Sequence, residues 1–236
     1  MKTLLIFDID GTLLHSNRID SECFATTYQR IYNRPFPSIN WSDYPHVTDT
    51  TIFGSVIQDQ FGRAVDPEEA ETFKLAFEQL LLERRSVAPA DFMEVPGARA
   101  TVERFVEQDN MVLGIATGGW ERPAMVKLRH IGIPTNTLYM SFADGKIRRE
   151  DILQSTIDQA KGEHGDIERI VYVGDALWDV RTTRNMRLPL IGIRRKGDHE
   201  FLVDAGTSHV FSNYLKQDQF EEAIRMALVP TNATKV

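Results

Sequence analysis

The sequence has little cysteine, no long hydrophobic run and no excess of positive charge. Its 236 residues include one cysteine, Cys23, so no disulfide can form within the chain and a reducing compartment is expected. The apolar run near the N-terminus, residues 3–7, is too short for a signal peptide or a membrane span. We therefore expect a cytoplasmic protein that does not bind membranes.

The charge balance limits the kinds of partner. The chain has 27 Lys and Arg residues against 34 Asp and Glu residues, a net charge of −7. This acidity argues against nucleic acid as a partner, because phosphate backbones bind to basic surfaces. It is compatible with a small phosphorylated metabolite, whose charge a metal ion and a few local cations can balance. An apolar fraction of 42% is typical of globular proteins and argues against disorder.

The spacing of apolar residues divides the chain into two parts. Residues 3–7 form an apolar run typical of a buried strand. Between residues 15 and 92 no strand is predicted, and apolar residues recur three and four apart. This spacing predicts helices over residues 20–33, 50–61 and 67–84. From residue 93 onward, strands alternate with helices, and such alternation predicts right-handed crossovers and a parallel sheet.

These patterns predict an α/β fold with a Rossmann-like parallel sheet core and an α-helical cap inserted after the first strand. The predicted core consists of residues 1–14 and 93–236, and the predicted cap consists of residues 15–92. Further core strands are predicted over residues 111–116, 137–141, 169–173 and 188–193, with a last one starting at residue 209.

Three of the predicted strands end in a polar residue. Asp8, Thr117 and Asp175 each follow an apolar strand directly. In an open parallel sheet, ligands bind outside the carboxyl ends of the strands, so these three residues should converge on one crevice. Taken singly, each could instead cap a helix or form a turn.

The pair Asp8 and Asp10 is harder to explain by capping. Two carboxylates about 4 Å apart repel each other by roughly 4 kcal/mol at an effective dielectric constant near 20. A cation between them would offset this repulsion, and Asp175 would supply a third carboxylate. Oxygen ligands of this kind suit Mg²⁺. Thr117 and Gly118 add a hydroxyl and backbone amides, which together could bind a phosphate.

The motifs and their order resemble those of the haloacid dehalogenase-like superfamily of phosphohydrolases. The segment Asp8-Ile-Asp10-Gly11-Thr12-Leu13 resembles the first motif, and Thr117 resembles the second. Gly174-Asp175-Ala-Leu-Trp-Asp179, with two acids four residues apart, resembles the fourth. The position of the helical insertion is similar to that of the cap in the phosphoglycolate phosphatase and β-phosphoglucomutase branch.

The resemblance implies a role for each matching residue. Asp8 would be the nucleophile that becomes an aspartyl phosphate. Asp10 would protonate the leaving oxygen and later activate water. Mg²⁺ would be held by Asp8, by the backbone carbonyl of Asp10 and by Asp175. Asp179 would orient the site from behind these ligands.

The third motif of the superfamily is a lysine that neutralises the transferred phosphate. Lys127, Lys146 and Lys161 lie between the second and fourth motifs. We favour Lys146, because it follows a predicted strand and precedes a helix, which places it on the crevice side of the sheet. Lys127 lies two turns into its helix, and Lys161 lies at the far end of another.

We therefore expect a Mg²⁺-dependent phosphatase acting on a small phosphorylated metabolite. A phosphomutase of the β-phosphoglucomutase type would share every core residue and is the first alternative. A phosphoacceptor signalling module without turnover, which also gathers Asp, Thr and Lys at strand ends, is a second alternative from a different class. The sequence makes no prediction of the oligomeric state.

Overall fold

A six-stranded parallel sheet runs through the computed structural model, which describes residues 2–231. Its strands are β1 (Lys2–Phe7), β2 (Met111–Ala116), β3 (Tyr139–Ser141), β4 (Ile167–Gly174), β5 (Leu190–Ile193) and β6 (His209–Phe211). Their order across the sheet is β3-β2-β1-β4-β5-β6, and every neighbouring pair is parallel. The predicted Rossmann-like α/β fold is confirmed.

Helices connect these strands and form the insertion after β1. The inserted helices are α1 (Asn17–Tyr32), α2 (Asp49–Phe61) and α3 (Pro67–Val87). The remaining helices are α4 (Ala98–Val106), α5 (Glu121–His130), α6 (Arg149–Glu163), α7 (Leu177–Met186), α8 (Glu200–Val203) and α9 (Gln217–Met226). Among the residues that the structure describes, no helix combines the length and hydropathy needed to cross a membrane.

Residues 4–7 of β1 and all six residues of β2 lack charged and hydroxyl side chains, because helices cover both faces of the sheet. In β1 and in β2, every residue after the first is buried. The chain extends the sheet from β1 through β2 to β3 on one side, then crosses to β4 on the other. The crevice between the carboxyl ends of β1 and β4 is therefore the topological switch point, where ligands bind in folds of this kind.

The longest inserted helix, α3, has clear start and stop signals. The Asp66 carboxylate accepts the backbone N–H of Glu68, and the Glu69 carboxylate accepts the backbone N–H of Asp66. Pro67 occupies the first turn, where its missing N–H costs nothing. Basic side chains in the last turn interact favourably with the negative end of the helix dipole.

The inserted helices pack against the core through an aromatic cluster. Trp120 lies just before α5, and its ring centroid is 5.8 Å from those of Phe24 and Phe73 and 5.9 Å from that of Phe53. Its indole N–H donates to the Thr50 hydroxyl at 2.9 Å. Trp120 is 2% exposed, so this contact removes a large apolar side chain from water.

Within residues 15–92, all of which the structure describes, there are helices and short 3₁₀ turns but no strand. The third strand starts two residues later than predicted, because the Thr137 N–H and hydroxyl both bond to the Pro134 carbonyl and form a 3₁₀ turn. The division into core and cap at residues 14/15 and 92/93 stays a prediction. Of the predicted core, residues 1 and 232–236 lie outside the described residues.

Candidate active site

The polar residues that end three strands meet at the switch point. Asp8 follows β1, Thr117 follows β2, and Asp175 follows β4. The backbone N–H of Asp8 bonds to the Val173 carbonyl at 2.9 Å, which fixes the loop after β1 to the end of β4. Asp8 and Thr117 line a cavity of about 70 Å³, and Asp175, which is 5% exposed, lies beside Asp8.

Three buried carboxylates form the centre of this site. Asp8, Asp175 and Asp179 each offer an oxygen, and these oxygens lie within 4.8 Å of one another. Asp179 is already engaged, since its Oδ2 accepts the backbone N–H groups of Asp175 and Ala176 at 3.0 Å each. Its Oδ1 accepts a guanidinium N–H of Arg149 at 2.8 Å. Asp179 therefore orients the loop after β4.

Asp8 and Asp175 each keep one carboxylate oxygen without a hydrogen-bond partner. Both oxygens, Asp8 Oδ1 and Asp175 Oδ1, are buried among the described residues. A buried anionic oxygen is costly unless a cation satisfies it. Gly11, at φ +79°, lies so close that a Cβ there would collide with the Asp175 carboxylate. This oxygen-only donor set fits Mg²⁺, which binds through few carboxylates and keeps room for water and phosphate.

The pKa values of two of these carboxylates are raised. The pKa of Asp8 is raised to about 7, mainly by burial and next by the charge of Asp179, whose effect exceeds the lowering by Arg149. Burial, followed by the charge of Asp179, also raises the pKa of Asp175 well above its ordinary value. A divalent cation would reverse both shifts, because it favours the charged form of each carboxylate.

The raised pKa of Asp8 makes a prediction for the metal-free protein. An acid whose pKa is higher in the folded state holds its proton more tightly there, so the protein loses stability as pH rises from 3.8 towards 7. Asp8→Asn removes this penalty. In EDTA we expect the melting temperature of the variant, relative to that of the parent, to increase as the pH rises to 7. Above pH 7 the difference between the two melting temperatures should stay constant.

The matched control for this comparison is Asp166→Asn. Asp166 is an exposed aspartate just before β4, at the opposite end of the strand from the site, and its pKa is lowered by Lys2. Above pH 5 we expect the melting-temperature difference between Asp166→Asn and the parent not to change with pH. A melting-temperature difference between Asp8→Asn and parent that is the same at pH 5 and pH 8 would contradict the assignment.

Asp10 points to a different set of partners from Asp8. Its carboxylate accepts the hydroxyl of Ser16 and, at 2.5 Å, the ammonium of Lys127. Its side chain is 21% exposed and lines the same cavity as Asp8. The structure thus brings Asp10 to the cavity, while its carboxylate is held by a cation and lies outside the close group of Asp8, Asp175 and Asp179.

The loop after β2 lines the cavity beside Asp8. The Thr117 hydroxyl accepts the Gly119 N–H at 3.4 Å, and both residues line the cavity with Gly118. A Cβ on Gly118 would lie 2.5 Å from the Val47 carbonyl and would also collide with Arg149, so only glycine fits there. Thr117 and Gly118 line the cavity with Asp8, and their phosphate-binding role stays a prediction.

The start of α2 holds this loop from the side of the insertion. The Asp49 N–H donates to the Gly118 carbonyl at 2.8 Å, and the Asp49 carboxylate accepts the Trp120 N–H at 2.9 Å. Thr48 and Thr51 donate to the Ile147 carbonyl at 3.0 Å. Three of these four bonds to the core end on a backbone carbonyl.

Arg149, rather than Lys146, is the cation beside Asp8. Its guanidinium is buried, 3.5 Å from Asp8 Oδ1 as an ion pair, and it also donates to the Val47 carbonyl at 3.2 Å. Lys146 does not line the cavity, and its ammonium lies 3.5 Å from the Phe142 carbonyl. The geometry of the turn before α6 explains the difference. Arg149, the first residue of α6, faces the crevice, whereas Lys146, three residues earlier, does not.

Lys127 is a second buried cation that sequence reasoning had set aside. Its side chain is 1% exposed and pairs with Asp10 and, at 2.7 Å, with Asp20. Burial alone would lower the pKa of Lys127, but the two carboxylates outweigh burial and raise it above its ordinary value. The available signal was its place on the apolar face of α5, between Ala124 and Leu128. Lys161, in contrast, is exposed.

The chain is similar in sequence to known proteins. The sequence model of the haloacid dehalogenase-like hydrolases matches residues 5–193. The chain is 22% identical over 193 residues to a phosphoglycolate phosphatase of Agrobacterium fabrum. The aligned region covers 82% of this chain and 81% of that protein.

Two solved structures show the same fold. A hydrolase from Pseudomonas syringae superposes with a TM-score of 0.69 at 20% identity, covering 94% of this chain and 99% of that one. A Bacteroides vulgatus protein assigned as a beta-phosphoglucomutase superposes with a TM-score of 0.64 at 15% identity, covering 96% of this chain and 90% of that one.

Proposed function

Because the chain belongs to the haloacid dehalogenase-like hydrolase family, we propose that it is a Mg²⁺-dependent phosphatase acting on a small phosphorylated metabolite. The observation that carries this proposal is the pair of buried carboxylate oxygens, one on Asp8 and one on Asp175, that accept no hydrogen bond. They lie at the switch point of the sheet, beside the cavity that Thr117 and Gly118 line. The similarity to a phosphoglycolate phosphatase supports the same reaction class.

Asp8 is the nucleophile in this proposal. One carboxylate oxygen attacks phosphorus, the bond from phosphorus to the leaving oxygen breaks, and Asp8 becomes an aspartyl phosphate. Asp10 gives a proton to the leaving oxygen as that bond breaks. Asp10 then takes a proton from water, whose oxygen attacks phosphorus, releases inorganic phosphate and restores Asp8.

The residues around Asp8 bind and orient the phosphoryl group. The Thr117 hydroxyl and the Gly118 amide would hydrogen-bond its oxygens. Arg149 would neutralise part of its charge, in the place that the sequence assigned to Lys146, because Arg149 is the buried cation beside Asp8. Asp179 keeps Arg149 and the loop after β4 in position.

Mg²⁺ would be held by the Asp8 and Asp175 carboxylates and the backbone carbonyl of Asp10. When bound, it would offset the repulsion between the Asp8 carboxylate and the anionic phosphoryl group. The cavity of about 70 Å³ that Asp8 and Asp10 line is bordered by residues of the inserted helices as well as of the sheet loops.

The proposal is tested by measuring phosphate release from sugar phosphates, phosphoglycolate and nucleotides, with Mg²⁺ or with EDTA. We expect turnover of at least one small phosphate ester. Removing the metal should lower the rate by about a hundredfold or more, because such charge stabilisation contributes several kcal/mol. Rates that do not change in EDTA would contradict the metal assignment.

The same assay separates the alternatives. One solved structure of the same fold is named a beta-phosphoglucomutase. A phosphomutase would isomerise hexose phosphates and release little phosphate. A phosphoacceptor module would consume one phosphate per chain and then stop. Sustained phosphate release excludes both.

A further inference from the structure

The phosphatase site contains a charged connection to the inserted helices that its chemistry does not require. Lys127, on α5, donates to Asp10 at 2.5 Å and to Asp20 at 2.7 Å. Asp10 belongs to the loop after β1, whereas Asp20 lies in the first turn of α1. One buried ammonium therefore joins the expected acid–base residue to the insertion.

This group borders the cavity and is not part of the general packing of the protein. Asp10 and Asp20 both line the cavity that contains Asp8, and their side chains are 21% and 17% exposed. The Lys127 side chain lies behind them at 1% exposure. A buried ammonium needs paired carboxylates, so Lys127 is satisfied fully only when α1 lies against the core.

The contacts of Asp10 show what the connection does to it. Ser16, the residue before α1, donates to one oxygen of Asp10, and Lys127 donates to the other. The Ser16 carbonyl in turn accepts the backbone N–H of Asp20 at 2.9 Å. Both groups that hold the Asp10 carboxylate are thus linked to the first turn of α1.

We propose that Lys127 and Asp20 are positioning residues that hold the Asp10 carboxylate towards the cavity only while α1 is docked on the core. Lys127 fixes the direction of the carboxylate, and Asp20 fixes Lys127. Proton delivery to the leaving oxygen is thereby tied to a covered site, which bulk water reaches less easily while the leaving group departs. The proposal rests on the proposed phosphatase reaction.

The test compares Asp20→Ala with Glu22→Ala, a matched control on the same helix. Glu22 pairs with the surface residues Arg18 and Arg84 and does not contact Lys127. Each protein is assayed on the alkyl phosphate that the parent hydrolyses best and on p-nitrophenyl phosphate, whose leaving group needs little help from an acid. The measured quantity is kcat/KM, which reports the first phosphoryl transfer.

We expect Asp20→Ala to lower kcat/KM on the alkyl phosphate by about ten- to a hundredfold, the scale of a misplaced catalytic group. On p-nitrophenyl phosphate the loss should stay within about threefold, because that leaving group departs without a proton. Glu22→Ala should match the parent on both substrates. Equal losses of Asp20→Ala on the two substrates would indicate a purely structural role and would overturn the proposal.

Hydrogen exchange supplies a second readout that does not depend on turnover. Amides of residues 17–32 should exchange faster in Asp20→Ala than in the parent and in Glu22→Ala. Unchanged exchange would overturn the link to α1 even if the parent is an active phosphatase. If the parent hydrolyses no phosphate ester, the proposed reaction fails, and exchange alone decides whether Asp20 ties α1 to the core. Asp20→Asn replaces Asp20→Ala if circular dichroism shows that the latter does not fold.

Discussion

Replacing Asp8 with asparagine is expected to reduce phosphate release on the order of 10⁴-fold or more, the effect of deleting a covalent nucleophile. The amide has nearly the shape of the carboxylate but cannot form an aspartyl phosphate. It also withdraws one of the two buried oxygens that we assign to Mg²⁺. The rate is measured under saturating Mg²⁺ and substrate, where weaker binding of either does not explain the loss.

Two observations accompany this variant. The parent, quenched in acid during turnover of a ³²P-labelled substrate, should carry label on the protein, whereas Asp8→Asn should carry none. Asp166→Asn, with its exposed side chain at the opposite end of β4, should behave as the parent. Label retained by Asp8→Asn would place the nucleophile on another residue.

Replacing Asp10 with asparagine is expected to slow turnover by about 10²–10⁴-fold, the usual contribution of a positioned acid and base. The loss should be unequal between the two half-reactions. With p-nitrophenyl phosphate, Asp8 can still be phosphorylated, because the leaving group needs little protonation. Hydrolysis of the aspartyl phosphate still needs a base to activate water, so the intermediate should accumulate.

Rapid mixing measures this difference directly. Asp10→Asn should release a burst of nitrophenol close to one equivalent per chain and then turn over slowly. The amide oxygen introduced by this substitution can still accept a hydrogen bond from Lys127, so the cation keeps a partner besides Asp20. Turnover at the parent rate would exclude Asp10 as the acid and base.

The sheet and its acidic site could be predicted because they depend on patterns along the chain. A strand buried on both faces is apolar throughout, and the first polar residue after it marks the carboxyl end. In a parallel sheet all these ends lie at one edge. Asp8, Thr117 and Asp175 could therefore be brought together without knowledge of any side-chain direction.

The cation beside Asp8 could not be chosen in this way. Lys146, Arg148 and Arg149 lie within four residues, and each is near the start of α6. The geometry of the turn decides among them: Arg148 is 53% exposed at the side chain, whereas Arg149 is 9% exposed. Such a turn depends on contacts with the insertion, including the Val47 carbonyl, which the local sequence does not reveal.

Lys127 was missed for a different reason. A lysine in the middle of a helix is ordinarily placed on the solvent side, and charged residues are almost never fully buried unless paired. Its neighbours Ala124 and Leu128 on the same face are buried, which is a signal for a buried lysine. The partner Asp20 is distant in sequence, so the ion pair becomes evident only from the fold.

Bonds that end on main-chain oxygens give the protein freedom to change. Hydrogen bonds between the inserted helices and the core end on four main-chain carbonyl groups, those of Val47, Gly118, Ala143 and Ile147. A main-chain oxygen survives replacement of the side chain it belongs to. The side chains at Val47 and Ile147 can therefore change during evolution, and the specificity for phosphate esters can change with them. Asp8 and Arg149 need not change.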